Sequence, residues 1–223
     1  MSKPTLIIGN KNYSSWSLRP WLAMRVKGID FDEQLIPLFE ADWAERKASL
    51  PSGTVPVLEH DGNVIWETLA ILEYVAEIWP EAHLWPSDLA ARARARVVSS
   101  EMHAGFTKVR GAMAMNIRAS YPGRGMHEGV AEDIARIESI WTECRNTFGG
   151  GGDFLFGEFS NADAMFAPIV SRFTTYGVAV NDTAQAYMDA VQALPAMVEW
   201  SEAGRAETWV IDDDEIDFVE AKD

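Results

Sequence analysis

The sequence of 223 residues holds a single cysteine, Cys144. One thiol cannot close an internal disulfide, so a disulfide-stapled secreted framework is excluded and a reducing compartment is compatible. Cys144 falls in a helical pattern over residues 131–148 and reads as a structural thiol. Basic residues are also scarce. Nineteen lysines and arginines stand against 34 acidic residues, giving a formal net charge of -15. So acidic a chain repels phosphate backbones and anionic lipid, and neither nucleic acid nor a membrane is expected as a partner. No apolar run approaches a membrane span. The start, Met1-Ser2-Lys3-Pro4, leads into an apolar run too short for a signal peptide, so a cytoplasmic location is expected. His60, His83, His103 and His127 lack metal-ligand spacing, and no metal is expected. A Gly-x-Ser-x-Gly elbow is missing, which argues against a serine hydrolase. No internal repeat is visible.

The remaining composition, 48% hydrophobic and 24% charged, is that of a globular chain long enough for one large or two modest domains. Residues 5–8 read as a short buried strand. A helix follows from about Ser15–Ser17, with Pro20 expected in its first turn, where a missing N–H costs nothing. Leu18, Trp21, Leu22 and Val26 keep helical spacing, and Gly28 followed by Ile29 fits a left-handed C-terminal cap. Residues 31–38 read as a second strand and 41–50 as a short helix. Strands at 57–60 and 63–66 flank Asp61-Gly62, a strong hairpin signal. A third helix runs from Glu67-Thr68 to a stop at Pro80. The order β-α-β-α-β-β-α, with a parallel crossover and then an antiparallel hairpin, is the thioredoxin-like layout.

Beyond this point strand signals vanish. Residues 89–115 form one long helical pattern, with a bend expected near Gly105 or Gly111. A glycine-rich loop, 121–129, precedes the helix at 131–148, and the glycine run 149–152 reads as a turn rather than a phosphate cradle. Ser160-Asn161-Ala162-Asp163 resembles a capping box with Asp in place of Glu. Helices are expected at 183–194 and 197–204, and the acidic tail from Asp212 is expected to be solvated. The predicted organisation is an α/β thioredoxin-like domain over residues 1–80, a linker over 81–87 and an all-α helical domain over 88–223.

Three local patterns carry chemistry. Tyr13-Ser14-Ser15-Trp16-Ser17-Leu18-Arg19 sets hydroxyls before a helix N-terminus, whose unpaired N–H groups and partial positive charge would stabilise a bound thiolate. Either serine can equally be a plain N-cap. Val55-Pro56 precedes a strand; in a thioredoxin-like domain this proline is typically cis, leaving the Val55 backbone free to pair with a peptide-like ligand, whereas the residues alone favour an ordinary trans-proline at a strand start. Glu67-Thr68 opens the third helix, where Thr68 and the first-turn amides can hold a carboxylate and Glu67 can accept from an α-amino group, or simply cap the helix.

The order and spacing of these patterns resemble the glutathione transferase family over essentially the whole chain. Val55-Pro56 with Glu67-Thr68 is similar to the family's glutathione signature, continued by residues 69–74, and residues 159–163 are similar to its capping segment. The nearest class is zeta, which includes maleylacetoacetate isomerases. Ser14, Ser15 and Arg19 match its Ser-Ser-Cys-x-x-Arg motif, and Trp16 stands in place of the cysteine.

The resemblance implies the cytosolic transferase architecture, glutathione as co-substrate, a small-molecule electrophile and a homodimer. It makes Ser14 the first choice for the thiol-activating hydroxyl, Ser15 the second and Tyr13 an outside candidate. Val55 and Pro56 would meet the cysteinyl backbone, and Glu67 and Thr68 the γ-glutamyl end. Arg19 and Lys47 are further glutathione candidates, Lys47 toward the glycine carboxylate. A second-substrate pocket would use Tyr13, Trp16, Met102, His103, Phe106, Arg110 and Met113. Of these, Met102, Phe106, Arg110 and Met113 are spaced for one helix face, a pattern that also fits core packing. Arg110 would suit an anionic electrophile, and His103 could act as a base. Conjugation, isomerisation and peroxidase chemistry all use the same sulfur; a non-catalytic glutathione-binding protein is the alternative of another class.

Overall fold

The computed structural model describes residues 2–216. Strands β1 (Thr5–Ile8), β2 (Asp32–Leu35), β3 (Val57–His60) and β4 (Asn63–Trp66) form one sheet in the order β2-β1-β3-β4. β1 runs parallel to β2 and antiparallel to β3, and β3 pairs antiparallel with β4. Helices α1 (Ser15–Val26), α2 (Trp43–Ser49) and α3 (Thr68–Ile78) complete the thioredoxin-like order. The hairpin turn has positive φ at both Asp61 (47°) and Gly62 (79°), as a primed turn requires. At the end of α1 the Gly28 and Ile29 amides donate to Arg25 and Met24, the paired bonds of a Schellman cap, with Gly28 at φ 68°.

β2 is half the predicted length. Its partner β1 offers only four residues, and beyond it the Leu38 amide donates to the Asn10 side chain (2.8 Å) instead of a strand. Pro20 also departs from expectation. It is the sixth residue of α1, not part of the first turn. A proline there leaves the carbonyl four residues earlier, that of Trp16, without its helical donor. The Thr68 hydroxyl, at the start of α3, donates to that carbonyl at 3.0 Å and supplies the missing bond.

The second half is helical: α4 (Leu89–Ala104), α5 (Thr107–Ala112), α6 (Val130–Phe148), α7 (Asn161–Tyr176), α8 (Asp182–Gln192) and α9 (Pro195–Ala206). The long pattern from residue 89 is broken rather than bent. Gly105 is extended and Phe106 is left-handed (φ 55°, ψ 36°), so α5 sets off in a new direction. Asp133 of α6 caps it from outside, accepting from the amides of Lys108 (3.0 Å) and Val109 (3.1 Å). α7 is the axis of this half: every residue but Thr174 is buried. It packs on α1, α4 and α8, and Trp141 of α6 lies against its Phe166 and Phe173. Such aromatic side chains stabilise by roughly 1.5–3 kcal/mol each on burial. The capping segment forms as read, with the Ser160 amide donating to Asp163 at 2.8 Å.

The start of the acidic tail is not free in solvent. A 3-10 turn at Asp212–Asp214 is followed by Glu215, which accepts from Tyr13 (2.5 Å) and Tyr121 (2.8 Å). The rest of the tail lies outside the described residues.

Candidate active site

The loop after β1 delivers the hydroxyl cluster. The Asn10 carbonyl accepts from the amides of Tyr13 (3.2 Å) and Ser14 (2.8 Å), folding the chain into the start of α1. The loop is held from the helical half: Glu207 accepts from the amides of Lys11 and Asn12 (2.7 and 3.0 Å), and the Asn12 side chain bonds Asn116 (2.9 Å).

Ser14 and Ser15 are both buried at this helix start, but their hydroxyls differ. Ser14 Oγ donates to Ser17 Oγ at 2.8 Å. Ser15 Oγ accepts from Arg172 Nη2 at 3.4 Å. Both serines, with Trp16, line a cleft of about 380 Å³ whose other walls include Lys47, Val55, Arg110 and Arg172. An adjoining cleft of about 530 Å³ shares Trp16, Thr54, Val55 and Arg110 and adds Pro56, Glu67, Thr68 and His103. The Val55-Pro56 bond is cis.

Every residue expected to touch glutathione therefore lines one of two contiguous clefts, except Arg19. Arg19 is 1% exposed and holds the two halves together instead: its Nε donates to the Met165 carbonyl of α7 (3.0 Å) and its Nη1 to the Ser15 carbonyl (3.1 Å). Burial, and the charges of Arg172 and Arg110, hold its pKa well below the usual arginine value. Its guanidinium stacks 4.2 Å from the Trp16 ring centre, with Arg110 4.9 Å from the same ring.

Glu67 caps α3 with φ 77°, a conformation costly for a side chain with a Cβ. Its carboxylate meets His103 Nε2 at 2.7 Å, so His103 closes one end of the second cleft from α4. The Thr68 hydroxyl proton is engaged with Trp16, leaving its oxygen as an acceptor. Lys47 is exposed on α2 at the rim of the first cleft.

The second-substrate set divides. Tyr13, Trp16, His103 and Arg110 line the two clefts. Met102 and Phe106 are packed in the core, and Met113 is buried beneath a separate cleft with Met126 and Ile134. The break at Gly105 and Phe106 is the reason: residues 102, 106, 110 and 113 do not share one helix face. Tyr13 lies against the tail, donating to Glu215 and accepting from Arg118 Nη2 (2.5 Å), and burial raises its pKa.

Sequence reasoning missed Arg172, Arg118 and Asp214. Arg172 was findable, because it is a charged residue inside the otherwise apolar run of α7, where an unpaired charge is rare. Arg118 lies in an irregular segment with no periodicity to flag it. It donates to Tyr13 and to the Glu207 and Trp209 carbonyls (2.8 and 2.9 Å), tying the tail down. Asp214 reaches the first cleft only because the tail folds back. Among the described residues no group of three or more acidic, histidine or cysteine side chains could hold a metal, and no helix is long and apolar enough to cross a membrane.

Comparisons with known proteins agree with this geometry. Residues 13–78 match the model of the glutathione S-transferase N-terminal domain and residues 128–203 that of the C-terminal domain. A probable maleylacetoacetate isomerase of Caenorhabditis elegans is 26% identical over 163 residues, 71% of this chain and 75% of that one. The maleylacetoacetate isomerase of Rattus norvegicus is 36% identical over 108 residues, 47% and 49% of the two chains. A Burkholderia glutathione transferase homologue, solved with bound glutathione, shares the fold at a TM-score of 0.70 and 22% identity, covering 92% of this chain and 99% of that one. With both domain models matched in order on a thioredoxin-like sheet and a helical second half, the chain belongs to the glutathione S-transferase family.

Proposed function

We propose that this chain is a glutathione-dependent enzyme that holds its co-substrate across the two clefts and activates the thiol at the start of α1. The γ-glutamyl end would lie at Glu67 and Thr68, the cysteinyl backbone at Val55 and the glycine carboxylate toward Lys47. This spread is supported by the arrangement of those residues along two joined clefts. The sulfur would then sit over the first turn of α1, where the helix N-terminus and the nearby Arg172 and Arg110 favour the thiolate.

The observation that carries the reading is the hydrogen-bond inventory of the two serines. Ser14, the first choice from sequence, has its proton engaged with Ser17. Ser15 only accepts, from a guanidinium, so its own proton is free to donate to a sulfur. On this reading Ser15 is the activating hydroxyl. The thiolate attacks an electrophilic carbon, a C–S bond forms, and either a leaving group departs or the new carbanion takes a proton. Isomerisation is the second reading, favoured by the two relatives named maleylacetoacetate isomerase. There the same addition to an enone is followed by bond rotation and loss of the thiolate.

The test is a comparison of Ser14→Ala and Ser15→Ala by pH-rate profile and calorimetry. We expect Ser15→Ala to lower kcat/KM about 100-fold, the scale of losing one donor to a developing anion, with a raised thiol pKa and little change in glutathione affinity. A loss confined to Ser14→Ala moves the role to Ser14. Glutathione binding with no turnover of any enone, halide or peroxide makes the chain a binding protein.

A further inference from the structure

Three arginines converge behind the serine cluster: Arg19 on α1, Arg110 on α5 and Arg172 on α7. The charges of Arg172 and Arg110 lower the pKa of Arg19, and that of Arg110 lowers Arg172, each beneath a larger effect of burial; Arg172 is pushed down to about 10. Their hydrogen bonds go to neutral oxygens. Arg110 donates to the carbonyls of His103 and Gly105 (3.2 and 3.1 Å), and Arg172 donates to those of Arg110 (3.1 Å) and Met113 and to Ser15 Oγ. Among the described residues none of the three forms an ion pair with a carboxylate. Arg172 is 6% exposed, its Nε has no hydrogen-bond partner, and the residue lines both the first cleft and a smaller one beside it. A guanidinium left so in a low-dielectric site is costly. The chain's net charge of -15 makes this local concentration of positive charge all the more distinct.

Two acids approach: Glu67, whose charge bears on Arg19, and, at Arg172, Asp214. Asp214, from the turn of the folded-back tail, lines the same cleft, feels the Arg172 charge and is nevertheless raised in pKa, chiefly by burial. It stands near Arg172 without an ion pair, and it is carried on a strap fastened by Glu215 and Arg118.

We infer that Arg172 is the seat for a carboxylate of an organic acid in the first cleft, and that Asp214 is the chain's own stand-in for that carboxylate, displaced when the acid enters. This deepens the proposed function by naming the second substrate as a carboxylate with an apolar body, since Leu38, Trp43 and Met115 line the same space. It is distinct from the glutathione carboxylates, which that reading assigns to Lys47 and to the first-turn backbone amides of α3. A seat close to Ser15 places the acid's carbon skeleton beside the sulfur.

The experiment titrates the full chain, with and without glutathione, against benzoate and its neutral counterpart benzamide. Binding is followed by calorimetry, and glutathione affinity is measured separately on each variant. The wild type is expected to prefer benzoate by about tenfold, one charge-assisted pair's worth. Arg172→Gln should erase the preference, and Asp214→Asn should strengthen benzoate binding severalfold. Glutathione affinity should stay within twofold in Asp214→Asn, whose side chain has no part in holding the thiol. Because Arg172 also bonds two carbonyls and its loss can unfold the chain, Asp214→Asn and Arg172→Lys stand as independent arms, Arg172→Lys retaining part of the preference. Equal binding of benzoate and benzamide by the wild type, or no gain in Asp214→Asn, overturns the inference even if glutathione binds. Failure of glutathione to bind, with the benzoate preference intact, sinks the thiol reading and leaves the carboxylate seat standing.

Discussion

At the scale of single residues, environment sets reactivity more than residue type does. Cys144 is a thiol, but burial pushes its pKa up to about 12, so its thiolate is scarce at neutral pH. Native protein at pH 8 should therefore resist iodoacetamide for hours and label within minutes once unfolded in urea, as intact-mass spectrometry would read. Fast native labelling would mean that the thiol is open to solvent. The same contrast separates the two adjacent serines, whose sequence contexts are nearly alike. Ser14 faces Ser17 within its own helix, whereas Ser15 faces a guanidinium delivered by a helix more than 150 residues later. No local pattern could have ranked them, because the deciding partner is remote.

At the scale of elements, the capping of α7 gives a pH signature. Asp163 accepts from the amides of Leu155 (3.0 Å) and Ser160 (2.8 Å) and from the Ser160 hydroxyl (3.0 Å), yet burial outweighs these bonds and lifts its pKa to about 6. In the unfolded chain it returns to about 4. Between those values the folded state binds the extra proton. The group's contribution to stability is therefore full below the window and falls as pH rises through it, by at most about 1.4 kcal/mol per pH unit. Asp163→Asn should remove this slope while lowering stability by about 2–4 kcal/mol, and urea midpoints from pH 4.5 to 7.5 would show the gap to wild type narrowing as pH rises. A gap independent of pH contradicts the assignment. The box itself was legible because Ser and Asp three residues apart before an apolar run is a local signal. So were the hairpin at Asp61-Gly62, the cap at Gly28 and the strands at residues 5–8 and 57–66. The break at Gly105 and Phe106 was legible only as a bend: a single left-handed residue redirects a helix without altering its apolar spacing. Pro20 misled for a related reason. Its cost inside α1 is met by Thr68, a donor on another element that sequence spacing does not reveal.

At the scale of the molecule, the tail is the least predictable part. Its acidity reads as solvated, but Arg118 and two tyrosines draw it across the site, converting a charge run into a wall. The assembly we propose is a homodimer, following the family. Exposed apolar side chains on β4 (Trp66, 47%) and α4 (Leu89, 72%; Val97, 57%) supply surface for it. Light scattering of the purified chain should give twice the 24.8 kDa monomer mass at micromolar concentration, and a monomer under those conditions rejects the proposal. The bond between Thr68 and the Trp16 carbonyl has a reach beyond one helix defect. It pins the beginning of α3 to the beginning of α1, and with them the two ends of the groove where Glu67 and the serines stand. A molecule that must touch both finds a calliper already locked at one opening. The spacing between Glu67 and the serines is thus set in part by a proline's lack of a hydrogen.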